Sequence, residues 1–340
     1  MRKAVILFNL GGPDKLESVE PFLFNLFNDP AIISIPSIIR YPLAKFISKK
    51  RAPIAKNIYR EIGNKSPILE LTQNQAKSLE NSLLRKGEYK CFIIMRCWHP
   101  RATEVIKKVK EYNPNEIILL PLYPQFSAST SGSSIKEWND LCKKENLNIE
   151  TKTICCYPTE NNFLESHAEL IKKTINNLDK NFKLLFSAHG LPENKIKKGD
   201  PYQWQVEQTV QGIMSKLKDR NLDYTISYQS RVGPLKWIGP STDEVIIKYS
   251  KEKKGIVIVP VAFVSEHSET LVELDIEYKK LAEKNGCSFY KRVPALGIEE
   301  NFIKGLTELV LQQETKGNFV SSIIMCPGKY KKCPCLAIKS

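Results

Sequence analysis

Histidine and carboxylate side chains carry the clearest chemical signal in this sequence. The chain has four histidines, and His189 stands directly after an apolar run and directly before Gly190. A histidine at the end of a strand can project into a cleft, and neutral imidazole both accepts protons and binds metals. His189 is therefore a candidate base or metal ligand, with local hydrogen bonding in a loop as the alternative. His99, in a loop before Pro100, and His167, in a helical segment, are interpreted as structural.

Three glutamates form the second chemical pattern. Glu269, Glu273 and Glu277 follow one another at spacings of four, with Glu266 about one helical turn earlier. On a helix they would form one stripe, and like charges so spaced repel each other. The stripe is either a solvated acidic face or a carboxylate ladder that relays protons or hands over a hard cation. Imidazole and carboxylate donors together suit ferrous iron, zinc or cobalt held transiently.

Elements that could position these residues alternate along the chain. Short apolar runs bounded by turn residues are separated by segments of helical period, which is typical of parallel sheets in doubly wound α/β folds. The predicted strands are Ala4–Leu10, Cys91–Arg96, Glu116–Leu122, Lys183–Ala188, Tyr224–Gln229 and Gly255–Phe263. The predicted helices include Thr72–Leu84, Glu104–Lys110, Phe163–Leu178 and Glu207–Lys218.

The chain also repeats itself. Three pairs of segments are similar and occur in the same order: 3–13 with 183–192, 103–108 with 242–248, and 117–123 with 256–262. The pairs indicate two similar α/β halves, although strand-rich segments can also look alike by chance. Ligands of open α/β sheets bind beyond the carboxyl ends of the strands. We therefore expect one active-site cleft between two halves that face each other.

Composition sets the class of protein. The chain has 340 residues, of which 42% are hydrophobic and 26% charged, as in ordinary soluble globular proteins. The net charge of +14 fits a lysine-rich proteome or approach to an anionic surface or substrate. Nucleic acid is not expected as a partner, because no nucleic-acid-binding motif is present. The apolar run 4–8 is too short for a signal segment, so a cytoplasmic location with reduced cysteines is expected.

Several motifs together resemble the ferrochelatase family. The segment 187–192 is similar to the signature around the family's essential histidine, and 263–271 is similar to the signature that carries its essential glutamate. The segments 9–13, 123–127 and 229–237 resemble the family as well. The resemblance implies two Rossmann-like, chelatase-type halves and an enzyme that inserts Fe2+ into protoporphyrin IX. Two protons are released and protoheme is formed, as the last step of heme biosynthesis.

The resemblance also implies roles for individual residues. His189 and Glu269 fall on the catalytic pair, which is also expected to ligate the metal, and Glu273 and Glu277 fall on the proton or metal relay. Porphyrin-pocket residues are expected at Tyr123, Trp237, Arg51 and Leu10. Fe2+ is a substrate, and no cofactor is required for catalysis. The expected domains are residues 1–160, residues 161–315 with His189 and the glutamates, and a cysteine-containing tail at 316–340.

An apolar segment at residues 30–47 is interrupted by prolines and therefore cannot be a spanning helix. It resembles the apolar lip of the family's active site and is followed by Lys49-Lys50-Arg51. Apolar and basic residues so combined suit contact with an anionic bilayer, or with an upstream enzyme that hands over porphyrin. A peripheral position at the inner membrane is the resulting expectation. The alternative is a buried helix pair with a solvated charge run.

Three of the nine cysteines lie close together near the carboxyl end, which suggests metal ligation by thiolates. Some ferrochelatases hold a 2Fe–2S cluster with three cysteines near the end and one far upstream. Ser166 stands where the upstream cysteine is expected, and Cys155 and Cys156 lie near that place but not at it. The hypothesis is a labile cluster with one unidentified ligand, and the alternative is a basic tail of unbound thiols. The three tail cysteines are Cys326, Cys333 and Cys335.

Two other functions remain open on sequence grounds. A related chelatase could insert cobalt or nickel into another tetrapyrrole with the same fold and histidine. A porphyrin or heme carrier would need pocket aromatics and a ligating histidine, but it would not need the acidic ladder.

Overall fold

A computed structural model describes residues 1–178, 181–218, 221–231, 233–313, 319–321 and 326–336. The strands are β1 (Arg2–Asn9), β2 (Glu88–Met95), β3 (Glu116–Pro121), β4 (Glu150–Cys156), β5 (Phe182–His189), β6 (Tyr224–Gln229), β7 (Gly255–Pro260), β8 (Tyr290–Arg292) and β9 (Phe319–Ser321). The α-helices are α1 (Val19–Phe27), α2 (Ser37–Arg60), α3 (Ile68–Leu83), α4 (Ala102–Tyr112), α5 (Ser131–Lys144), α6 (Asn161–Ile175), α7 (Glu193–Lys197), α8 (Tyr202–Lys216), α9 (Thr242–Lys251), α10 (Tyr278–Lys284) and α11 (Glu300–Gln312). A π-helix spans Glu269–Glu277, and short 3₁₀ turns span Leu16–Ser18 and Pro334–Leu336.

The strands form two sheets, and four strands of the first have the same internal order as the four strands of the second. The first sheet has the order β2-β1-β3-β4-β9, and the second has the order β6-β5-β7-β8. All the strand pairs β1–β2, β1–β3, β3–β4, β5–β6, β5–β7 and β7–β8 are parallel. The predicted fold class, two similar parallel α/β halves flanked by helices, is confirmed.

Continuous apolar runs explain why the central strands lie where they do. Every residue of β3 and of β7 is buried, as expected for strands covered by helices on both faces. In the first sheet Trp138 of α5 and Val109 of α4 pack into the core with Leu119. In the second, Ile246 of α9 and Leu274 of the π-helix pack with Ile258. These helices thereby fix the positions of the strand ends, where the candidate functional residues lie.

The repeat extends to loop hydrogen bonds. In the first half the Met95 N–H donates to the carbonyl of Pro100 (2.8 Å), and in the second the Tyr228 N–H donates to that of Pro240 (2.9 Å). Each bond ties the second strand of its sheet to the loop that leads into the next helix, α4 or α9. These matched contacts support the internal similarity predicted from the sequence.

Two compact units emerge from the packing. The first comprises the described parts of Met1–Tyr123, Ser127–Cys155 and Leu306–Val320. The second comprises the described parts of Pro124–Phe126, Cys156–Gly305 and Ser321–Ser340. The domain boundaries expected from the sequence, and the cleft between the halves, stay predictions.

Candidate active site

His189 and Glu269 form a hydrogen-bonded pair in the second unit. The apolar strand β5 ends at His189, and the π-helix begins at Glu269. His189 Nδ1 lies 2.9 Å from Glu269 Oε2. The histidine side chain is 40% exposed and the glutamate side chain 23% exposed, so the pair is reachable from outside. The structure thus brings together the two residues that the sequence singled out most strongly.

The carboxylate determines the chemistry of the imidazole. A carboxylate next to Nδ1 favours a proton on that nitrogen, so the lone pair of the neutral ring lies on Nε2. Burial opposes the charged form of His189, but the negative charges of Glu269 and Glu273 raise its pKa above the usual value. Nε2 is therefore a basic nitrogen that can accept a proton or bind a metal.

Glu273 is held beside Glu269 by the end of β6. The Ser230 N–H donates to Glu273 Oε1 (2.9 Å), and the Ser230 Oγ lies 2.6 Å from Glu273 Oε2 and 3.2 Å from Glu269 Oε2. Gln229 Nε2 donates to Glu273 Oε2 at 3.2 Å, and the Tyr278 hydroxyl donates to Oε1 at 3.0 Å. Two acidic side chains are thereby kept together by neutral donors.

The two carboxyl groups differ in acidity. Burial raises the pKa of Glu269, but the charge and hydrogen bond of His189 outweigh it and leave that pKa well below its usual value. Burial and the neighbouring Glu269 charge raise the pKa of Glu273. Carboxylates this close do not ionise independently. The arrangement can therefore hold a metal cation or receive a proton without a large rearrangement.

The prediction of an acidic stripe on an ordinary helix, with Glu266 one turn before it, is wrong in part. Its backbone is a π-helix, a wide form that is often found at functional sites. Glu266 lies outside the stripe, because its Oε1 accepts hydrogen bonds from Arg292 (2.8 Å) and from the Ala295 N–H (3.0 Å). Glu277 is exposed at the far end of the π-helix. Only the first two of the three predicted glutamates lie beside His189.

Sequence reasoning missed Ser230, Gln229 and His267. His267 is buried, with Nδ1 3.2 Å from the carbonyl of Ser265 and Nε2 3.9 Å from Glu269 Oε1. Its position two residues before Glu269 was the available signal. Gln229, the last residue of β6, and Ser230 lie in the segment 229–237 that resembles the family, but nothing in that segment indicated their contacts with the glutamates.

Trp237 is brought against the backbone that follows His189. A Cβ added at Gly190 would lie 3.2 Å from Cε3 of the Trp237 ring and 3.0 Å from the carbonyl of Gln229. Glycine is therefore needed here for close packing. Pro192 and Trp237 also form an isolated antiparallel bridge. Tyr202 is buried, and burial raises the pKa of its hydroxyl.

The other predicted pocket residues belong to the first unit. Leu10 follows β1 and packs against a cluster that includes Val19 and Cys97. Tyr123 follows β3, and burial raises the pKa of its hydroxyl. Arg51 is an exposed residue of α2, with its guanidinium 5.8 Å from the centre of the Phe27 ring. Their contact with porphyrin stays a prediction.

The remaining histidines agree with a structural interpretation. Both ring nitrogens of His167 are buried and have no hydrogen-bond partner among the described residues, and burial lowers its pKa to about 3. It is a neutral core residue that packs edge-on against Phe163. His99 is exposed and pairs with Glu104 at 2.7 Å.

The tail cysteines lie in the second unit beside α7 and α8. Cys326, Cys333 and Cys335 are buried. A hydrogen bond to Cys333, together with burial, raises the pKa of Cys326. The Lys332 N–H donates to the carbonyl of Gly199 (3.1 Å), and the rings of Trp204 and Tyr330 lie 5.8 Å apart. The segment is thus packed on the unit, unlike a detached basic tail.

The apolar lip is largely the first half of α2, a continuous helix that contains Pro42 and Pro53. One face is buried through Ala44, Ser48, Ala52 and Tyr59. The rest leaves large apolar side chains in solvent, so the alternative of a buried helix pair is wrong. Among the described residues, no helix is long and apolar enough to cross a bilayer. The exposed apolar residues of α2 are Ile38 (83%), Ile39 (56%), Tyr41 (56%), Leu43 (37%), Phe46 (65%) and Ile54 (67%).

Comparison with known proteins shows the family to which the chain belongs. The chain is 64% identical over 342 residues to the ferrochelatase of Pelagibacter ubique, with 99% of each chain covered. It is 51% identical over 341 residues to that of Rickettsia felis, with 98% of each covered. SirB of Bacillus subtilis, solved with Fe3+ and, as a sirohydrochlorin chelatase, with cobalt, shares the fold at 13% and 11% identity. The TM-scores are 0.51 and 0.53, and the matches cover 92% and 94% of this chain and 95% and 100% of those chains. The family model described as Ferrochelatase matches residues 2–314, and the chain therefore belongs to the ferrochelatase family.

Proposed function

We propose that His189 and Glu269 are the catalytic residues with which this ferrochelatase inserts ferrous iron into protoporphyrin IX in the last step of heme biosynthesis. The observation that carries this assignment is the 2.9 Å contact between His189 Nδ1 and Glu269 Oε2 at the carboxyl end of β5. It leaves the basic Nε2 of the ring for the substrate.

The reaction requires a base and a path for charge. Two pyrrole N–H protons leave the ring as Fe2+ takes their place, so the charge that enters balances the charge that leaves. His189 Nε2 accepts a proton from the porphyrin, and Glu269 stabilises the resulting imidazolium. Fe2+ is a substrate, and the imidazole ligates it only while Nε2 is unprotonated, so metal binding and proton acceptance at His189 alternate while the Glu269 carboxylate stays available as a ligand.

The glutamates continue the path away from the histidine. Glu273 lies beside Glu269 through the shared donors Ser230 and Gln229. Burial and the Glu269 charge raise the pKa of Glu273, which makes it a better proton acceptor than an ordinary carboxylate. Glu277, exposed at the end of the π-helix, is the outlet to solvent in this scheme.

Metallation itself tests the function. Anaerobic incubation with protoporphyrin and Fe2+, followed by absorption spectroscopy, should show conversion of free porphyrin to heme. Parallel reactions with coproporphyrin, and with Co2+ in place of Fe2+, distinguish protoporphyrin ferrochelation from the alternatives. Tight porphyrin binding without metallation would instead indicate a carrier.

We also propose that the buried cysteines of the second unit hold a 2Fe–2S cluster. Clusters of this kind usually have four cysteine ligands. The tail supplies three, and Gln205 Nε2 donates to both Cys156 Sγ (3.3 Å) and Cys326 Sγ (3.2 Å), so the end of β4 lies beside the tail. The fourth ligand in this proposal comes from the end of β4, which the sequence spacing had set aside.

Purification under anaerobic conditions tests the cluster. Visible absorption with stoichiometric iron and sulfide is expected in the wild type. Cys335→Ser should abolish it, because this change removes one of the three tail ligands. Cys142→Ser, a partly exposed cysteine of α5, is the matched control. Colourless wild-type protein with full metallation activity would contradict the cluster and leave the catalytic assignment standing.

The exposed face of α2 is proposed to rest on an anionic bilayer, which would give a cytoplasmic protein a peripheral position at the membrane. Apolar side chains such as Phe46 (65% exposed) would enter the interface, and Lys49, Lys50 and Arg51 would meet lipid phosphates. Ile38→Ser with Phe46→Ser should weaken sedimentation with anionic vesicles and raise the porphyrin KM. Leu84→Ser, exposed at 71% elsewhere, should do neither. Unchanged vesicle binding would favour a porphyrin-delivering protein as the partner.

A further inference from the structure

Gln205 presents its side-chain amide to two sulfur atoms. The residue lies on α8 and is fully buried. Its Nε2 lies 3.3 Å from Cys156 Sγ and 3.2 Å from Cys326 Sγ. A primary amide has two N–H groups, so each sulfur can receive one of them. The contact is therefore a forked donor that joins the end of β4 to the tail.

The orientation of the amide follows from its other end. The Phe126 N–H donates to Gln205 Oε1 at 2.6 Å. A backbone N–H needs an acceptor, so the oxygen must face Phe126 and the nitrogen must face the sulfurs. Both ends of the side chain are used, and the geometry leaves the amide no alternative orientation without loss of a buried hydrogen bond.

The chemistry of the acceptors indicates what this donor is for. A thiol sulfur accepts hydrogen bonds weakly, whereas a thiolate or a metal-bound sulfur carries negative charge and accepts them well. Two N–H groups fixed in a buried site thus match sulfur that is charged. They would add little to a pair of neutral thiols.

We infer that Gln205 is a positioning residue that donates hydrogen bonds to the cysteine sulfurs around the cluster and stabilises its reduced form. This inference rests on the 2Fe–2S cluster proposed above. One-electron reduction adds negative charge that spreads over iron and sulfur, and N–H donors to sulfur favour that state. Removal of the donors therefore makes the cluster harder to reduce.

Two substitutions separate the donor from the space that it fills. Gln205→Glu keeps the length of the side chain and an oxygen for the Phe126 N–H, but it replaces the donor with an acceptor. Gln205→Met removes the donor without adding charge. Gln208→Met is the control, because Gln208 lies one turn further along α8 and its amide donates to Gln211 on the helix surface.

The experiment is a dithionite titration of full-length, anaerobically purified protein, followed by visible absorption and electron paramagnetic resonance. Both Gln205 variants should retain the cluster and show a midpoint potential more negative than wild type, while Gln208→Met stays at the wild-type value. An unchanged midpoint in both Gln205 variants would overturn the inference. Loss of the cluster from both would also overturn it, because a donor that only adjusts the potential is not needed for iron–sulfur bonds. Wild-type protein without a cluster would refute this inference and the cluster, while metallation activity would remain a separate result.

Discussion

The central strands of the two sheets end at matching positions but with different side chains. Phe8 pairs with Pro121, the last residue of β3, and Ser187 pairs with Pro260, the last residue of β7. Two residues beyond these pairs stand Leu10 in the first half and His189 in the second. The same place in the fold thus carries an apolar side chain once and an imidazole once.

The segments that follow the next strands differ as well. After β3 the chain continues through a hydroxyl-rich loop into the regular helix α5. After β7 it continues into a π-helix that carries Glu269 and Glu273. Repetition of the topology therefore does not repeat the chemistry, since function depends on the side chains grafted onto the strand ends. In the proposed mechanism the second half supplies the reacting groups, and the first half carries Leu10 at the position that matches His189.

The largest effect is expected at His189. His189→Ala removes the proposed base and should lower metallation at least ~100-fold, as is typical for loss of a general base. Porphyrin binding, followed by fluorescence quenching, should persist. More than a few per cent of wild-type activity would show that the second half does not carry the chemistry through this residue.

Glu269→Gln should be nearly as damaging, because it keeps the shape of the side chain but removes its charge. Glu269 raises the pKa of His189. Without it that pKa falls, so the acidic limb of the kcat/KM profile should move to lower pH. A pH–rate series on wild type and variant checks the direction, and an acidic limb that does not move would separate the observed pH dependence from His189.

Glu277→Gln should have a milder effect than Glu269→Gln. Glu277 is exposed, so water can replace it as the outlet for protons. We expect a loss of at most a few-fold in kcat under saturating substrate. Equal and negligible losses of activity at Glu269 and Glu277 would favour the alternative, in which these carboxylates form only a solvated acidic face.

The smallest effect is expected at Leu10, the counterpart of His189. Leu10→Ala should leave kcat nearly unchanged and raise the porphyrin KM modestly, since it removes only apolar contact. Steady-state kinetics with the porphyrin varied would show this. A large fall in kcat would mean that the first half also contributes to the chemical step.

Much of this site could be predicted because its signals are local. The strands β5 and β7 are marked by long apolar runs; His189 is the last residue of β5, and Glu269 begins the π-helix that follows β7, each within a signature motif. The strand β4 was missed because its first residues, Glu150, Thr151 and Lys152, are polar. The short strands β8 and β9, of three residues each, give no periodic signal.

Other features could not be predicted because they depend on contacts across the fold. The positive φ of 61° at Ser230 and its bonds to two glutamates arise only when β6 lies beside the π-helix. Gln205 likewise meets its sulfur partners only through tertiary packing. Helical spacing alone also cannot distinguish a π-helix from an α-helix, and it does not show that the helix begins only after Glu266.

The wide turn of the π-helix makes this segment sensitive to length as well as to composition. Deletion of one residue such as Val272 would let Glu269–Glu277 relax to the ordinary period of 3.6 residues, and each residue of offset rotates a side chain by about 100°. Glu273 would then turn away from Ser230 even though every glutamate remained. Three-nucleotide deletions here, which keep the reading frame and every acidic codon, should therefore behave like loss-of-function alleles.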